Sequence, residues 1–215
     1  MDAVVLGGTG LVGNLLVQEL CKAEQYERVF LISRKNADFQ SNKISTILIK
    51  DLNEICGLKL PLNEPVFFCC IGSTIKKAGS KDAFRKVDYQ AVVDFAELAK
   101  QQNVLQFTLV SAKGSDPKSP FFYNQTKGEA EAALLNMNLK SVTVFKPGLL
   151  LGDRNESRFF ESAAIAIAKK LEIVLGQDKL KPFVTPAQVL AKAMVDDSLV
   201  RKSGNKIVDS SEIWK

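Results

Sequence analysis

Hydrophobic positions along the chain follow two alternating rhythms. Short apolar runs at Ala3–Leu6, Val29–Ile32, Thr46–Ile49, Val66–Ile71, Leu105–Val110 and Val142–Phe145, each bounded by polar or turn residues, predict strands. These runs do not alternate apolar with polar, so both sheet faces are expected to be covered. Between them, Leu11, Leu15, Leu16 and Leu20 recur at helical spacing over Leu11–Cys21. Phe84, Val87, Ala91, Phe95 and Leu98 mark one long amphipathic helix over Lys81–Gln102. Tyr123–Met137 reads as a third helix from its Ala, Glu and Leu content.

Repeated β–α alternation predicts an α/β fold built on a doubly wound parallel sheet. Pro147-Gly148 stops the sixth strand, and the rhythm then loosens. A helix is expected over Phe159 to about Leu171, an extended piece around Ile173–Leu175, another helix after Pro186 and a last short strand at Ile207–Val208. No linker composition divides the chain. Residues 1–215 are therefore expected to form a single domain, in which 148–215 make a small C-terminal lobe on the substrate side.

Composition narrows the function classes. No apolar run approaches the roughly 20 residues of a spanning helix, and strand-like sequence begins at Ala3. The expectation is a chain with no membrane segment or leader and a cytoplasmic location. The net charge is +5, but Lys and Arg are interspersed with Asp and Glu, which favours a solvated surface over nucleic-acid binding. Cys21, Cys56, Cys69 and Cys70 lack metal-site spacing and read as buried free thiols, so no metal is expected. The chain has no histidine, so proton transfer falls to Tyr, Lys, Cys or a carboxylate.

Between the first strand and the first helix lies Gly7-Gly8-Thr9-Gly10-Leu11-Val12-Gly13, a G-x-x-G-x-x-G spacing at Gly7, Gly10 and Gly13. A turn this tight needs residues without Cβ, and the following helix N-terminus presents unpaired N–H groups and partial positive charge to a pyrophosphate. In the setting of a βαβ pattern this points to a Rossmann-type dinucleotide site contacted by Gly7, Thr9, Gly10, Leu11, Val12 and Gly13. The second strand ends in Ser33-Arg34-Lys35, where a carboxylate for the ribose 2′-hydroxyl is usual. A hydroxyl and two cations suit a 2′-phosphate, so Ser33 and Arg34 favour NADP(H) over NAD(H). The alternative is that these cations are ordinary surface charges.

Tyr123 and Lys127 form a Y-x-x-x-K segment, whose members share one helix face. A neighbouring ammonium stabilises a phenolate and fits Tyr123 for proton exchange. Ser111, at the end of the fifth strand, is suited to hold a substrate carbonyl. By itself Y-x-x-x-K is a common coincidence in a Lys-rich chain; the Ser111 position and the glycine turn give it weight.

The glycine turn, Ser111, Tyr123 and Lys127 resemble the short-chain dehydrogenase/reductase superfamily. Cys70-Ile71-Gly72-Ser73-Thr74, Lys77-Ala78-Gly79-Ser80, Val87-Asp88, Tyr123–Glu131, Val144–Leu150, Arg154 and Glu156-Ser157-Arg158 are similar to its atypical, Tat-interacting oxidoreductase-like subgroup. The resemblance implies that Tyr123 exchanges the proton, that Lys127 binds the nicotinamide ribose and tunes Tyr123, and that Ser111 orients the substrate. It further implies that Asp51 and Leu52 contact the adenine, that Gly72 admits the cofactor backbone, and that Pro147 and Leu149 border the nicotinamide. The superfamily's usual catalytic asparagine corresponds here to Asp88, which cannot donate an amide N–H and adds negative charge near the proton path.

Two functions stay open. One is an NADPH-dependent reductase of an unidentified carbonyl-like small molecule, with Tyr123 as proton donor. The other is an NADP(H)-sensing binding protein with little or no catalysis, acting on a protein partner. The long helix at Lys81–Gln102 is also compatible with a homo-oligomer.

Overall fold

A computed structural model describes residues 1–152, 183–200 and 202–214. The expected helix at Phe159–Leu171, the extended piece at Ile173–Leu175 and the motif residues Arg154 and Glu156-Ser157-Arg158 lie outside the described residues.

The strands are β1 (Asp2–Leu6), β2 (Arg28–Ser33), β3 (Ile44–Leu48), β4 (Pro65–Cys69), β5 (Gln106–Val110), β6 (Ser141–Lys146), β7 (Leu149–Leu151), β8 (Val184–Pro186) and β9 (Gly204–Asp209). The helices are α1 (Leu11–Lys22), α2 (Ile75–Ala78), α3 (Lys81–Arg85), α4 (Ala91–Gln101), α5 (Phe122–Leu135) and α6 (Ala187–Leu199). Among the described residues, seven strands form one sheet in the order β3-β2-β1-β4-β5-β6-β9. Every pairing in it is parallel. This is the doubly wound Rossmann arrangement expected from the β–α alternation, with β9 as a further parallel edge strand.

The side-chain period of two explains why the inner strands β1, β2, β4, β5 and β6 are buried on both faces. Val4, Leu6, Phe30, Ile32, Phe67, Cys69, Phe107, Leu109, Val142 and Val144 face one layer, where Phe95 and Leu98 of α4 and Leu134 of α5 meet them. Ala3, Val5, Val29, Leu31, Val66, Phe68 and Phe145 face the other, packed on Leu16, Val17 and Leu20 of α1 and on Leu190 and Met194 of α6. Helices on both faces leave the C-terminal ends of the strands as the one edge where loops gather around a cleft.

Two features depart from the sequence pattern. The helix expected over Lys81–Gln102 is interrupted by a π turn at Lys86–Gln90. The extra residue rotates the following turns, so that Asp88 is fully buried while Val87 stays half-buried. The second is β7, which pairs in parallel with β8 as a separate two-stranded sheet beside the C-terminal edge. These strands of three residues each carry no periodicity to read.

Candidate functional site

The chain leaves β1 and turns into α1 through the expected glycines. Gly7 has φ +86°, and a Cβ there would lie 2.6 Å from the Ile71 backbone nitrogen. A Cβ on Gly13 would lie 2.2 Å from the Gly7 carbonyl oxygen. These two positions let β1, α1 and the segment after β4 close up. Gly10 is different: it is exposed, caps α1 without a side chain, and its Cβ would meet only the Gly7 carbonyl oxygen at 3.3 Å. The first N–H groups of α1 thus open outward beside the exposed Thr9, with Leu11 half-buried and Val12 buried behind them.

Ser33 ends β2 on the same edge, its hydroxyl accepting from the Lys35 N–H at 3.2 Å, and the Arg34 side chain is exposed. Asp51 caps a 3₁₀ turn, Leu52–Gly57, by accepting from the Asn53 N–H at 3.1 Å, while Glu54 accepts from the Asp51 N–H at 3.0 Å. The Asp51 carboxylate thereby shapes the loop after β3, a structural duty that its sequence position does not announce.

Tyr123 lies in the first turn of α5, its ring 5.4 Å from that of Phe84. One turn on, Lys127 is buried and its ammonium lies 2.9 Å from Asp88 Oδ1, contributed by the π turn. Asp88 Oδ2 accepts from the Ser73 N–H at 2.8 Å, whereas Oδ1 has the charge of Lys127 beside it but no aligned hydrogen bond. A Cβ on Gly72 would stand 3.4 Å from both the Asp88 Oδ1 and the Lys127 Nζ, so a side chain at this position would touch the pair. Burial pushes the Lys127 ammonium down, but the Asp88 carboxylate and Tyr123 outweigh it, and its pKa stands above the ordinary lysine value. Asp88 has no exposed surface. Burial holds its carboxyl above the usual range against the pull of Lys127 and the Ser73 N–H. Cys69, at the end of β4, is buried beneath this pair and pushed up to about 12, first by burial.

Ser111 follows β5 and sits in a network that the sequence reading did not identify. Its hydroxyl and that of Ser115 both donate to Glu131 Oε1, and Glu131 Oε2 pairs with Lys146 Nζ at 2.8 Å. Ser111, Ser115 and Glu131 are all buried. Glu131 lies four residues beyond Lys127 and eight beyond Tyr123 on α5. The face that carries the Y-x-x-x-K pair therefore also carries this carboxylate, and continuing the i, i+4 spacing one more step would have found it.

Pro147 is buried, and its carbonyl accepts from the Lys113 N–H at 2.9 Å. Leu149 is exposed, and its N–H donates to the Phe183 carbonyl at 2.7 Å, which joins β7 to the start of β8. A Cβ on Gly152 would lie 2.9 Å from Leu11 Cδ1, so the small sheet abuts the glycine turn. Among the described residues there is no group of three or more His, Cys, Asp or Glu arranged to hold a metal, and no helix is long and apolar enough to cross a membrane.

No family model matches the chain. Individual proteins do. Protein FMP52, mitochondrial, of Meyerozyma guilliermondii is 34% identical over 171 residues, covering 78% of this chain and 73% of that protein. Protein HTATIP2 of Rattus norvegicus is 32% identical over 206 residues, covering 93% of this chain and 82% of its own length. Among solved structures, human epimerase family protein SDR39U1 with NADPH superposes over 96% of this chain and 72% of its own, with TM-score 0.65 and 18% identity. MoeE5 in complex with UDP-glucose and NAD covers 97% of this chain and 75% of its own, with TM-score 0.72 and 16% identity. At that identity the two structures establish the shared fold.

The expected cytoplasmic location does not stand. Relatives in Meyerozyma guilliermondii, Scheffersomyces stipitis, Lodderomyces elongisporus and Candida albicans are all named mitochondrial. The cytoplasmic expectation rested on the absence of an apolar leader, and organellar targeting uses amphipathic signals instead. With a third of its residues shared with FMP52 and HTATIP2 over most of its length, and with their superfamily's sheet order, glycine turn and Y-x-x-x-K pair, this chain belongs to the atypical short-chain dehydrogenase/reductases, in the Tat-interacting oxidoreductase-like subgroup.

Proposed function

We propose that this chain is an NADP(H)-dependent oxidoreductase acting on an alcohol–carbonyl pair, with Tyr123 exchanging the proton. The observation that carries the reading is the buried Asp88–Lys127 pair, 2.9 Å apart beside Gly72 on the same sheet edge as the glycine turn. A lysine held charged there suits a ribose hydroxyl, and the bare N-terminus of α1 suits a pyrophosphate. The cofactor, when bound, supplies hydride chemistry; the chain supplies positioning and the proton.

In this reading Gly7, Thr9, Gly10, Leu11, Val12 and Gly13 hold the diphosphate, Ser33 and Arg34 the 2′-phosphate, and Asp51 and Leu52 the adenine. Gly72 and Lys127 take the ribose, while Pro147 and Leu149 border the nicotinamide. Lys127 holds Tyr123 ready to exchange a proton, Ser111 contacts the reacting oxygen, and the part of the chain beyond 148 walls the substrate side of a single domain. Arg34→Ala is expected to weaken NADPH roughly tenfold to a hundredfold, the range for a charge-assisted contact, while changing NADH by about twofold or less in parallel fluorescence titrations. Equal losses would refute a 2′-phosphate site.

A second reading, a cofactor sensor with negligible turnover, is favoured by the Asp88–Lys127 pair, which offsets part of the positive charge that Tyr123 would use. Single-turnover reactions with a panel of alcohols and carbonyls, run on the parent and on Tyr123→Phe, separate the two. Turnover by the parent that falls at least about a hundredfold in the variant, as for a lost general acid, supports the enzyme. Tight NADPH binding with no turnover of any panel member supports the sensor.

A further inference from the structure

Polar side chains also enter the interior of the sheet at the edge opposite the glycine turn. Strands covered on both faces are expected to be apolar along their length. β5 and β6 depart from this in their N-terminal halves, on the face that α6 covers. Gln106 and Thr108 of β5 and Ser141 and Thr143 of β6 are all 5% exposed or less, whereas the same face of each strand ends in apolar Val110 and Phe145. Gln106 and Ser141 are the first residues of their strands, which places this polar patch at the far end from the proposed cofactor site.

Part of this polarity has a structural explanation. Gln106 Nε2 donates to Thr143 Oγ1 at 3.2 Å and to Asp197 Oδ2 at 2.9 Å, and the Thr143 hydroxyl donates to the same Oδ2 at 2.8 Å. Lys206 of β9 pairs with Asp197 Oδ1. Asp197 is thereby neutralised and ties the last turn of α6 to the sheet. The remainder is left over. Among the described residues, neither the Ser141 hydroxyl nor Gln106 Oε1 has a hydrogen-bond partner, and both residues line a cavity of about 220 Å³. Buried polar groups are ordinarily satisfied, so these two are provided for by what the cavity takes up.

That volume equals roughly seven waters at about 30 Å³ each and lies below the roughly 300 Å³ of a drug-sized pocket. The exposed Lys202 lines the same cavity, and among the described residues no carboxylate pairs with it. The three groups set the chemistry of an occupant. Gln106 Oε1 only accepts, Lys202 only donates, and Ser141 does either. An occupant that satisfies all three is small and carries a hydroxyl beside an anionic group. We propose that this cavity binds a small hydroxycarboxylate, its carboxylate on Lys202 and its hydroxyl shared by Gln106 and Ser141. The site stands independently of the proposed cofactor reading.

Calorimetric titration of L- and D-malate into the full chain tests the site. At least one enantiomer is expected to bind with a dissociation constant of about 1 mM or tighter. Succinate lacks the hydroxyl and glycerol lacks the carboxylate, and each is expected to bind roughly fivefold more weakly or worse, the range for one hydrogen bond lost. Ser141→Ala and Lys202→Ala remove groups that make no hydrogen bond or ion pair among the described residues. Both variants are therefore expected to keep the parent's urea midpoint and NADPH titration, while malate binding weakens roughly fivefold in each.

Lys202 is exposed, so Lys202→Ala keeps the test open should Ser141→Ala not fold. Three results would overturn the inference. Absence of binding by either enantiomer up to about 10 mM would leave the cavity to water. Succinate or glycerol binding as tightly as malate would refute the ligand class. Malate affinity unchanged in either folded variant would place the binding elsewhere on the chain and leave the polar patch a purely structural role. Failure to take up NADPH would count against the cofactor site and not against this one.

Discussion

Gly13→Ala is expected to abolish nicotinamide dinucleotide binding and to destabilise the fold by about 3 kcal/mol, the upper part of the range for overpacking. The added Cβ would lie 2.2 Å from the Gly7 carbonyl oxygen and 2.9 Å from Gly7 C and Gly8 Cα. All three are backbone atoms, so no rotamer change relieves the contact. Either α1 lifts from β1 or the Gly7–Gly10 turn opens, and in both cases the outward N–H groups of the first helical turn lose their common focus. Urea unfolding and NADPH titration measure the two effects separately. Gly57→Ala, whose Cβ meets nothing within 4 Å, is the matched control and should stay within about 0.5 kcal/mol of the parent. A Gly13→Ala protein as stable and as competent in binding as that control would show that the close approach does not matter.

The second large effect concerns Asp88. Asp88→Ala leaves the Lys127 ammonium buried without its partner, which typically costs about 3–5 kcal/mol. Asp88→Leu combined with Lys127→Met should recover much of that loss, because the desolvation of both charges disappears with them. The pH dependence carries a sign that a general loss of packing would not reproduce. In the parent the folded pKa of Lys127 lies above the ordinary value of 10.5, so its contribution is complete below 10.5 and is lost as the pH rises through the folded value. With Asp88 gone, burial dominates and the folded value drops below the unfolded one. Measured against the parent, the stability of Asp88→Ala should therefore rise with pH through that lower value, while the buried Cys69 thiol, whose folded pKa lies above its ordinary value, lowers both proteins alike towards pH 10. Urea midpoints between pH 7 and 10 decide it. A parallel fall or a parallel plateau in the two proteins would contradict the assignment of Lys127 and Asp88 as a coupled buried pair.

How far the sequence carried the reading depended on whether the signal was local. The inner strands of the large sheet and the glycine turn were legible because apolar runs and a strand–turn–helix glycine spacing are consequences of two-sided burial and close backbone approach. The π turn at Lys86–Gln90 was not. An inserted residue leaves the apolar stripe readable on either side of it, and only tertiary packing against α5 shows that Asp88, not Val87, turns inward. Asp88 itself was marked in the sequence as a missing amide donor. Its direct pairing with Lys127 joins residues from two helices and had no local signature. Glu131 lay within sight on the same helical face, but a carboxylate at that spacing reads as solvated surface until Lys146, from the end of β6, is seen to neutralise it. The location was misread for a different reason: composition reports what a chain can bury, and organelle addressing is separate chemistry.

The most direct measurement on the whole account is a titration of the purified full chain with NADPH, followed by nicotinamide fluorescence and by calorimetry. Saturable uptake approaching one NADPH per chain, tighter than NADH and lost in Gly13→Ala, is the expected result. A parent chain that is folded, yet takes up neither dinucleotide at millimolar concentration, would contradict it.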